Sequence, residues 1–428
     1  MQQKTRITLL IAGLLCFFGV TKSQENTGSP YTRYGLGDLM SSYFGDSKAM
    51  GGTGLALRKT DKLFVVNPAS YTAIDSLHFV MEAGVSGLVR KMSSSESSNP
   101  ANIYDARLDY LSLGFPVTNW WGASAGVLPY STVGYDLVTE KENFGYLSKH
   151  YYSGSGGINK AFIGNSFMPI KNLSLGFNAN YLFGNIKQQN SVRFKDEGLV
   201  NITRENTLYF SDFYFSLGAQ YKYEIDKDNS LNIGLVWDMN ADLSSKRSLV
   251  VTNALSTSSS NPVDTIEFYD KKEGVVSLPQ TFGLGVSYQY KDILTVAADA
   301  KFQDWSDAEA FGVQDSLGAG QRFSLGAEYI PAGKNSPGLN YLEMVRYRIG
   351  GHYNNSYLQF DNGDTKINDF GISFGLGLPL KRSKTTINLS LELGQRGSTD
   401  NNLVKEQYAI LGVNFSLTDI WFIKRKFE

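Results

Sequence analysis

The chain has 428 residues, of which 42% are hydrophobic and 13% aromatic, with 43 Gly and only 11 Pro. Glycine and aromatic residues in these amounts favour twisted strands and tight turns over helices. With a formal net charge of -1, no basic excess argues for a nucleic-acid partner.

At the N-terminus, Lys4 and Arg6 precede the apolar run Ile7 to Val20, and the small residues Thr21 and Ser23 suit a cleavage site after Ser23. Residues 1–23 therefore read as a secretory signal peptide. A membrane anchor is the alternative, but a spanning helix needs about 20 apolar residues. The single cysteine, Cys16, lies inside this run, and Leu15 before it does not suit a lipoprotein signal. The mature chain then has no thiol for a disulfide or a thiolate metal site.

Residues 24–76 do not alternate. They carry Gly-rich stretches (YGLGDL, MGGTGLAL) and scattered apolar residues such as Leu36, Leu39, Met50 and Leu57, which seek burial. Within FVVNPASYTAIDS, Pro68 lacks an amide hydrogen and pushes Asn67 away from helical geometry, so a turn is expected there.

From Leu77 onward, alternation is nearly continuous. In LSLGFNANYLF, Leu173, Leu175, Phe177, Ala179, Tyr181 and Phe183 share one face, against Ser174, Gly176, Asn178, Asn180 and Gly184 on the other. FSLGAEY, ILTVAADAKFQ, INLSLELG, VRYRIGGHYN and the C-terminal YAILGVNFSL repeat the pattern. A soluble sandwich also alternates, but its strands average 5 or 6 residues and its apolar face needs a second layer. Bilayer-facing strands are longer and need none. Strand starts are expected near Leu77, Arg107, Trp120, Tyr151, Leu173, Thr207, Leu231, Thr281, Leu294, Arg322, Arg346, Ile367, Thr385 and Gln407.

The fold expected is all-β: a transmembrane antiparallel β-barrel of about 14 strands over residues 77–428, its lumen filled by residues 24–76 as a plug, or hatch. KDI, PVTNW and KRSKT suit short periplasmic turns. SSSESSNPAN, TNALSTSSSNPVD and AGKNSPGLN suit external loops. TDIWFIKRKFE at the C-terminus offers Trp421, Phe422 and Phe427 as an aromatic signal for barrel-assembly machinery, although Glu428 follows.

The block GLGDLMSSYFGDSKAMGGTGLAL, the NPAS at Asn67 to Ser70, LHFVMEAGVS as first strand, LPQTFGLGVSYQY with LTVAADAKFQDWS, and YRIGGHYNNS together resemble the FadL/TodX family. That family comprises outer-membrane transporters of long-chain fatty acids and other hydrophobic compounds. The resemblance implies a monomeric barrel in outer-membrane lipid of a Gram-negative bacterium, and lateral escape through a gap made by a kinked strand; no energy-coupling box is evident near the N-terminus, which fits passive diffusion. Pro129 is the candidate kink. Asn67, Pro68 and Ala69 are a candidate gate between plug and barrel.

A hydrophobic acid would want a cation for its carboxylate, and inward-facing Lys301, Arg346 and Arg348 are candidates. The competing reading is structural pairing with Asp299, Glu328 and Glu392. Catalysis is disfavoured: of three histidines, only His352 shares a strand face with Asn354 and Ser356, and the set would spread over roughly 13 Å. No cofactor or metal site is expected, and no enzyme activity. The alternative function is a barrel scaffold or accessory for protein secretion or lipid export.

Overall fold

The computed structural model describes residues 28–95, 100–143, 145–196, 198–255, 264–314, 317–333, 340–360, 365–380 and 385–420. The expected signal peptide, Cys16 and the aromatic residues of the C-terminal tail lie outside them.

Fourteen antiparallel strands follow in chain order: β1 (His78–Ser94), β2 (Ala101–Thr118), β3 (Trp121–Asn143), β4 (Tyr146–Ile170), β5 (Leu173–Phe194), β6 (Val200–Glu224), β7 (Asn229–Asp238, resumed at Ala241–Leu255), β8 (Asp264–Leu278, resumed at Thr281–Tyr290), β9 (Leu294–Asp304), β10 (Ala319–Tyr329), β11 (Arg346–Phe360), β12 (Thr365–Pro379), β13 (Thr386–Arg396) and β14 (Val404–Ile420). Pairing of β14 with β1, from Val404 opposite Ser94 to Ile420 opposite His78, closes the barrel. β7 and β8 break at one height, between the pairs Asp238/Thr281 and Ala241/Leu278, where Pro279 has no amide to donate.

The alternation places side chains as the sequence predicts. Phe177, Phe323, Leu325, Ile349 and Leu411 point outward and are exposed, Leu325 to 59%. Ser174, Asn178, Asn180, Ser324, Glu328 and His352 are buried in the lumen. A polar residue on the outer face would meet hydrocarbon, and an apolar one there needs no partner. Among the described residues no helix is long and apolar enough to cross a membrane.

Residues 28–76 lie inside the barrel. They form short 3-10 turns at Pro30–Arg33 and Pro68–Ala73 and one helical turn at Gly45–Ala49. Ala49, Met50, Leu55 and Ala56 are fully buried. Inward-facing glycines of the wall make room for this backbone. A Cβ on Gly234 would stand 2.0 Å from Leu55 O, and one on Gly350 2.2 Å from the Met50 carbonyl carbon.

One expectation needs correction. AGKNSPGLN joins Tyr329 of β10 to Arg346 of β11, so it falls at the same barrel end as the KDI and KRSKT turns, not the opposite one. Antiparallel alternation, not loop length, fixes sidedness; residues 334–339 within it are outside the described set. The expected Asn67-Pro68 turn is present, some ten residues before the start of β1. It opens a 3-10 helix buried against β4, β5 and β6, and the chain reaches β1 only after Leu77, whose φ is 61°.

Candidate functional site: a lumen cavity beside a gap in the wall

β2 and β3 are paired only near the short-turn end. Their ladder ends at Leu111 opposite Val127. Beyond it, residues 101–110 of β2 pair with no wall strand but β1, and residues 128–143 of β3 with no wall strand but β4 on their other edge. Two residues past the last shared pair stands Pro129. Pro129 faces Asn159 and Ser131 faces Ile158, so Tyr130 is an extra, unopposed residue. A bulge bends its strand, and proline is tolerated there because no ladder amide is lost. The structure therefore places Pro129 at a bulge bordering the gap.

The vacated edge of β3 is met from inside. Asp38 and Leu39 pair with Thr132 and Ser131, Met40 N donates to Tyr130 O at 2.8 Å, and Gly134 N donates to Thr32 Oγ1 at 3.1 Å. Asp38 is clamped from the other side of the gap by Arg396 of β13 and, at 3.8 Å, Arg90 of β1. Arg90 also faces Glu406 at 3.5 Å, and Glu406 accepts the Ser29 hydroxyl. Residues 29–40 thus bridge the lumen from β13–β14 to β3.

Deeper, an ionic cluster holds the segment. Asp46 lies 3.1 Å from Arg348, 3.5 Å from Lys59 and 3.7 Å from Lys62. Glu328 takes Arg348 Nε and Lys59 Nζ, each at 2.7 Å, and Arg346 meets Asp61 at 2.7 Å. Burial alone would raise the Asp46 carboxyl. The charges of Arg348, Lys62 and Lys59 prevail and hold it well below the usual carboxylate range. Arg346 and Arg348, candidates for a ligand carboxylate, are thereby consumed as anchors of the segment. Asp299, the expected partner of a lumen cation, instead accepts the Gly54 and Leu55 amides at 2.6 and 2.9 Å.

Lys301 is placed differently. It borders a cavity of about 380 Å³ that also touches Met40, Ser42, Tyr43, Pro129, Tyr130, Lys160 and Arg322. Lys301 Nζ and Arg322 Cζ lie 5.2 and 5.7 Å from the Tyr43 ring centroid, and Lys160 Nζ donates to Ser42 Oγ at 2.9 Å. Among the described residues, none of these three cations forms an ion pair. The ring face and the hydroxyl offset part of the cost of burying them, and their charge is left facing the cavity.

Lys160 and Arg322 escaped the sequence reading. Arg322 has the inward parity of Ser324 and Glu328 and was legible. Lys160 sits between Ile158 and Phe162, both buried inside, so polarity alternation hides it. Toward the long-loop end the lumen is lined by an apolar cluster including Ile158, Leu182, Ile186, Phe210, Leu243, Val276 and Trp305. The expectation of a polar interior fails there.

Asn67 is fully buried. Its Oδ1 accepts Ala69 N at 3.1 Å, capping the 3-10 helix, and its Nδ2 faces Leu55 O at 2.7 Å, Ala219 O at 3.3 Å and Leu235 O at 3.4 Å. It pins the segment to β6 and β7. Asn67→Ala removes the cap and the Nδ2 bond to Leu55 O, which keeps Gln220 Nε2 at 2.9 Å, at a cost of about 1–2 kcal/mol. The variant is expected to convert to its unfolded gel mobility at a lower temperature than the parent.

The Ser-His-Asn set is not assembled. His352 Nε2 faces Asp369 at 3.6 Å, whereas Ser356 Oγ accepts Leu358 N at 3.2 Å. Among the described residues no group of three or more His, Cys, Asp or Glu could hold a metal.

These features define a 14-stranded barrel with an internal N-terminal segment, a lumen cavity and one interrupted seam. The chain belongs to the BamG family, whose model matches residues 3–428. Its fold is similar to that of solved structures. The Pseudomonas putida toluene transporter TodX has 15% identity over 90% of this chain and 100% of its own, with a TM-score of 0.57. The Ralstonia pickettii toluene transporter TbuX gives 15%, 90%, 99% and 0.54, and a Pseudomonas aeruginosa FadL homologue 10%, 90%, 99% and 0.56. No curated protein sequence matches the chain.

Proposed function

We propose that this chain is a passive channel for hydrophobic small molecules in the outer membrane of a Gram-negative bacterium. The observation that carries the reading is the seam: the β2–β3 ladder stops at Leu111/Val127, and the 380 Å³ cavity touches Pro129 and Tyr130 immediately beyond it. A molecule that enters through the apolar upper lumen reaches a cavity bordered by an unpaired stretch of wall. Residues 28–76 act as the plug that denies it a straight path. Toluene transporters and a FadL homologue sharing the fold support this reading.

Within that class, an amphiphile with a carboxylate, such as a fatty acid, suits the cavity. Lys301, with Lys160 and Arg322, offers cations that no salt bridge engages among the described residues, in a cavity that Asp238 also borders, and the carboxylate would gain charge-assisted hydrogen bonds. Uptake of radiolabelled oleate and toluene by deletion cells carrying the gene tests both levels. Parent protein raises uptake of both over empty vector. Lys160→Gln/Lys301→Gln lowers oleate uptake roughly tenfold while sparing toluene. Equal uptake with empty vector and with parent would sink the channel reading.

One observation favours a second reading, a scaffold for secretion or lipid export. β4 and β6 run for 25 residues each, and the long-loop half of β8 exposes Ile266 and Phe268.

A further inference from the structure

A second cavity, of about 400 Å³, opens at the short-turn end, on the opposite side of the N-terminal segment from the first. Asn172, Asp292 and Ile293 of two turns border it, with Arg58, Lys59 and Thr72 from the segment and Lys222, Gln289 and Arg346 from the wall.

The cations around it are unequal. Lys59 is matched by Glu328 at 2.7 Å, Arg346 by Asp61 at 2.7 Å and Lys222 by Glu224 at 3.1 Å. Arg58 is not matched. Its Nη1 reaches Ala69 O at 3.2 Å and Gln220 Oε1 at 3.3 Å, and its Nη2 reaches Thr72 Oγ1 at 2.8 Å. All three acceptors are neutral, and among the described residues no carboxylate forms an ion pair with it.

These contacts fix the guanidinium plane yet engage only part of its five N–H groups. Burial pulls its pKa down to about 10, with no anion to oppose the shift. A half-buried guanidinium held rigid without a counter-ion is costly as it stands, and an oxyanion offsets that cost through paired hydrogen bonds. Lys222 stands on the same cavity, and its partner Glu224 is solvent-exposed, so it is able to swing toward a bound anion.

We infer that this cavity is an oxyanion site, in which Arg58 receives a carboxylate or phosphate arriving from the short-turn end. The inference stands apart from the seam and from the direction in which any hydrophobic molecule moves.

The test uses the full chain in non-ionic detergent, with inorganic phosphate titrated by calorimetry. The parent binds phosphate; Arg58→Gln weakens binding roughly tenfold or more, and Arg58→Lys retains part of it. A boiled-versus-unheated gel shift verifies that each variant is a folded barrel. Thr72→Val leaves Arg58 in place but loosens its orientation, and is expected to weaken binding less than Arg58→Gln. Native mass spectrometry separates the sources: a phospholipid retained by the parent and lost in Arg58→Gln identifies a headgroup, whereas phosphate binding by lipid-free protein identifies a free anion. Equal phosphate affinity in parent and Arg58→Gln overturns the inference. So does a parent that neither binds phosphate nor retains phospholipid.

Discussion

Arg348→Met is expected to unseat the N-terminal segment and make the barrel leak. The Arg348 side chain is fully buried and binds two carboxylates from different parts of the fold, Asp46 of the segment and Glu328 of β10, while also donating to Asn388 Oδ1 at 2.9 Å. Removing one member of such a cluster strands the others, and breaking a buried pair costs about 3–5 kcal/mol. Lys59 still bridges Asp46 and Glu328, so the loss falls toward the lower end. The cluster ties the segment to β10 and β11, so this loss reads out as its release. Single-channel recording in planar bilayers should show steady small openings in the parent and a several-fold larger conductance in Arg348→Met. Adding Asp46→Asn and Glu328→Gln removes the stranded charges and is expected to return conductance part of the way. An unchanged Arg348→Met conductance would mean that the cluster does not seat the segment.

The same cluster sets a pH dependence. Asp46 is held below its ordinary value, about 3.9 in an unfolded chain. Its stabilisation is therefore complete above that value and fades only as pH falls below it, toward the folded-state pKa. Parent conductance should stay flat from about pH 8 to 5 and rise only below about pH 4. A rise between pH 7 and 5 would point to a different lock.

How much of this was legible follows from what each signal depends on. The strands that span the bilayer were readable because hydrocarbon imposes a strict rule on their outer face: Leu325, Ile349 and Leu411 have no alternative but to alternate with Ser324, Arg348 and Asn414. The rule fails where strands rise beyond that band. Ile158, Leu182 and Phe210 face inward there, on the lumen's apolar cluster, and polarity no longer separates wall from interior. The inward charges were legible as a set but not in their pairing. Arg348 and Lys301 have the same parity and sit on neighbouring parts of the wall. Whether each meets Asp46 or Tyr43 depends on the path of residues 38–62, which lack any period. The Asn67-Pro68 turn was visible, but its depth was not, because its partners Ala219 and Leu235 lie more than 150 residues away.

The seam makes the sharpest prediction, because it can be closed covalently. Leu39 stands opposite Ser131 in the short ladder between the N-terminal segment and β3. Facing residues in an antiparallel pair have Cα atoms about 4.5–5.5 Å apart, within the range a disulfide spans. The only native cysteine, Cys16, lies in the expected signal peptide, so a Leu39→Cys/Ser131→Cys pair is free of competing thiols. Under oxidation the bond fixes residues 38–40 on the edge that β2 leaves vacant. If hydrophobic molecules leave the cavity past Tyr130, this segment must yield, and the cross-linked protein should lose roughly tenfold or more of its toluene uptake. Dithiothreitol should restore it, and neither single-cysteine variant should respond to oxidant or reductant. Thiol alkylation followed by mass spectrometry establishes that the bond has formed, and the unheated gel mobility establishes that the barrel is intact. A fully cross-linked protein that still takes up toluene at the parental rate would rule out the seam between β2 and β3 as the route. An opposite result for Asp38→Asn completes the argument: without the carboxylate that Arg396 and Arg90 grip from the other side of the gap, residues 38–40 yield more readily, so uptake should rise where the disulfide made it fall.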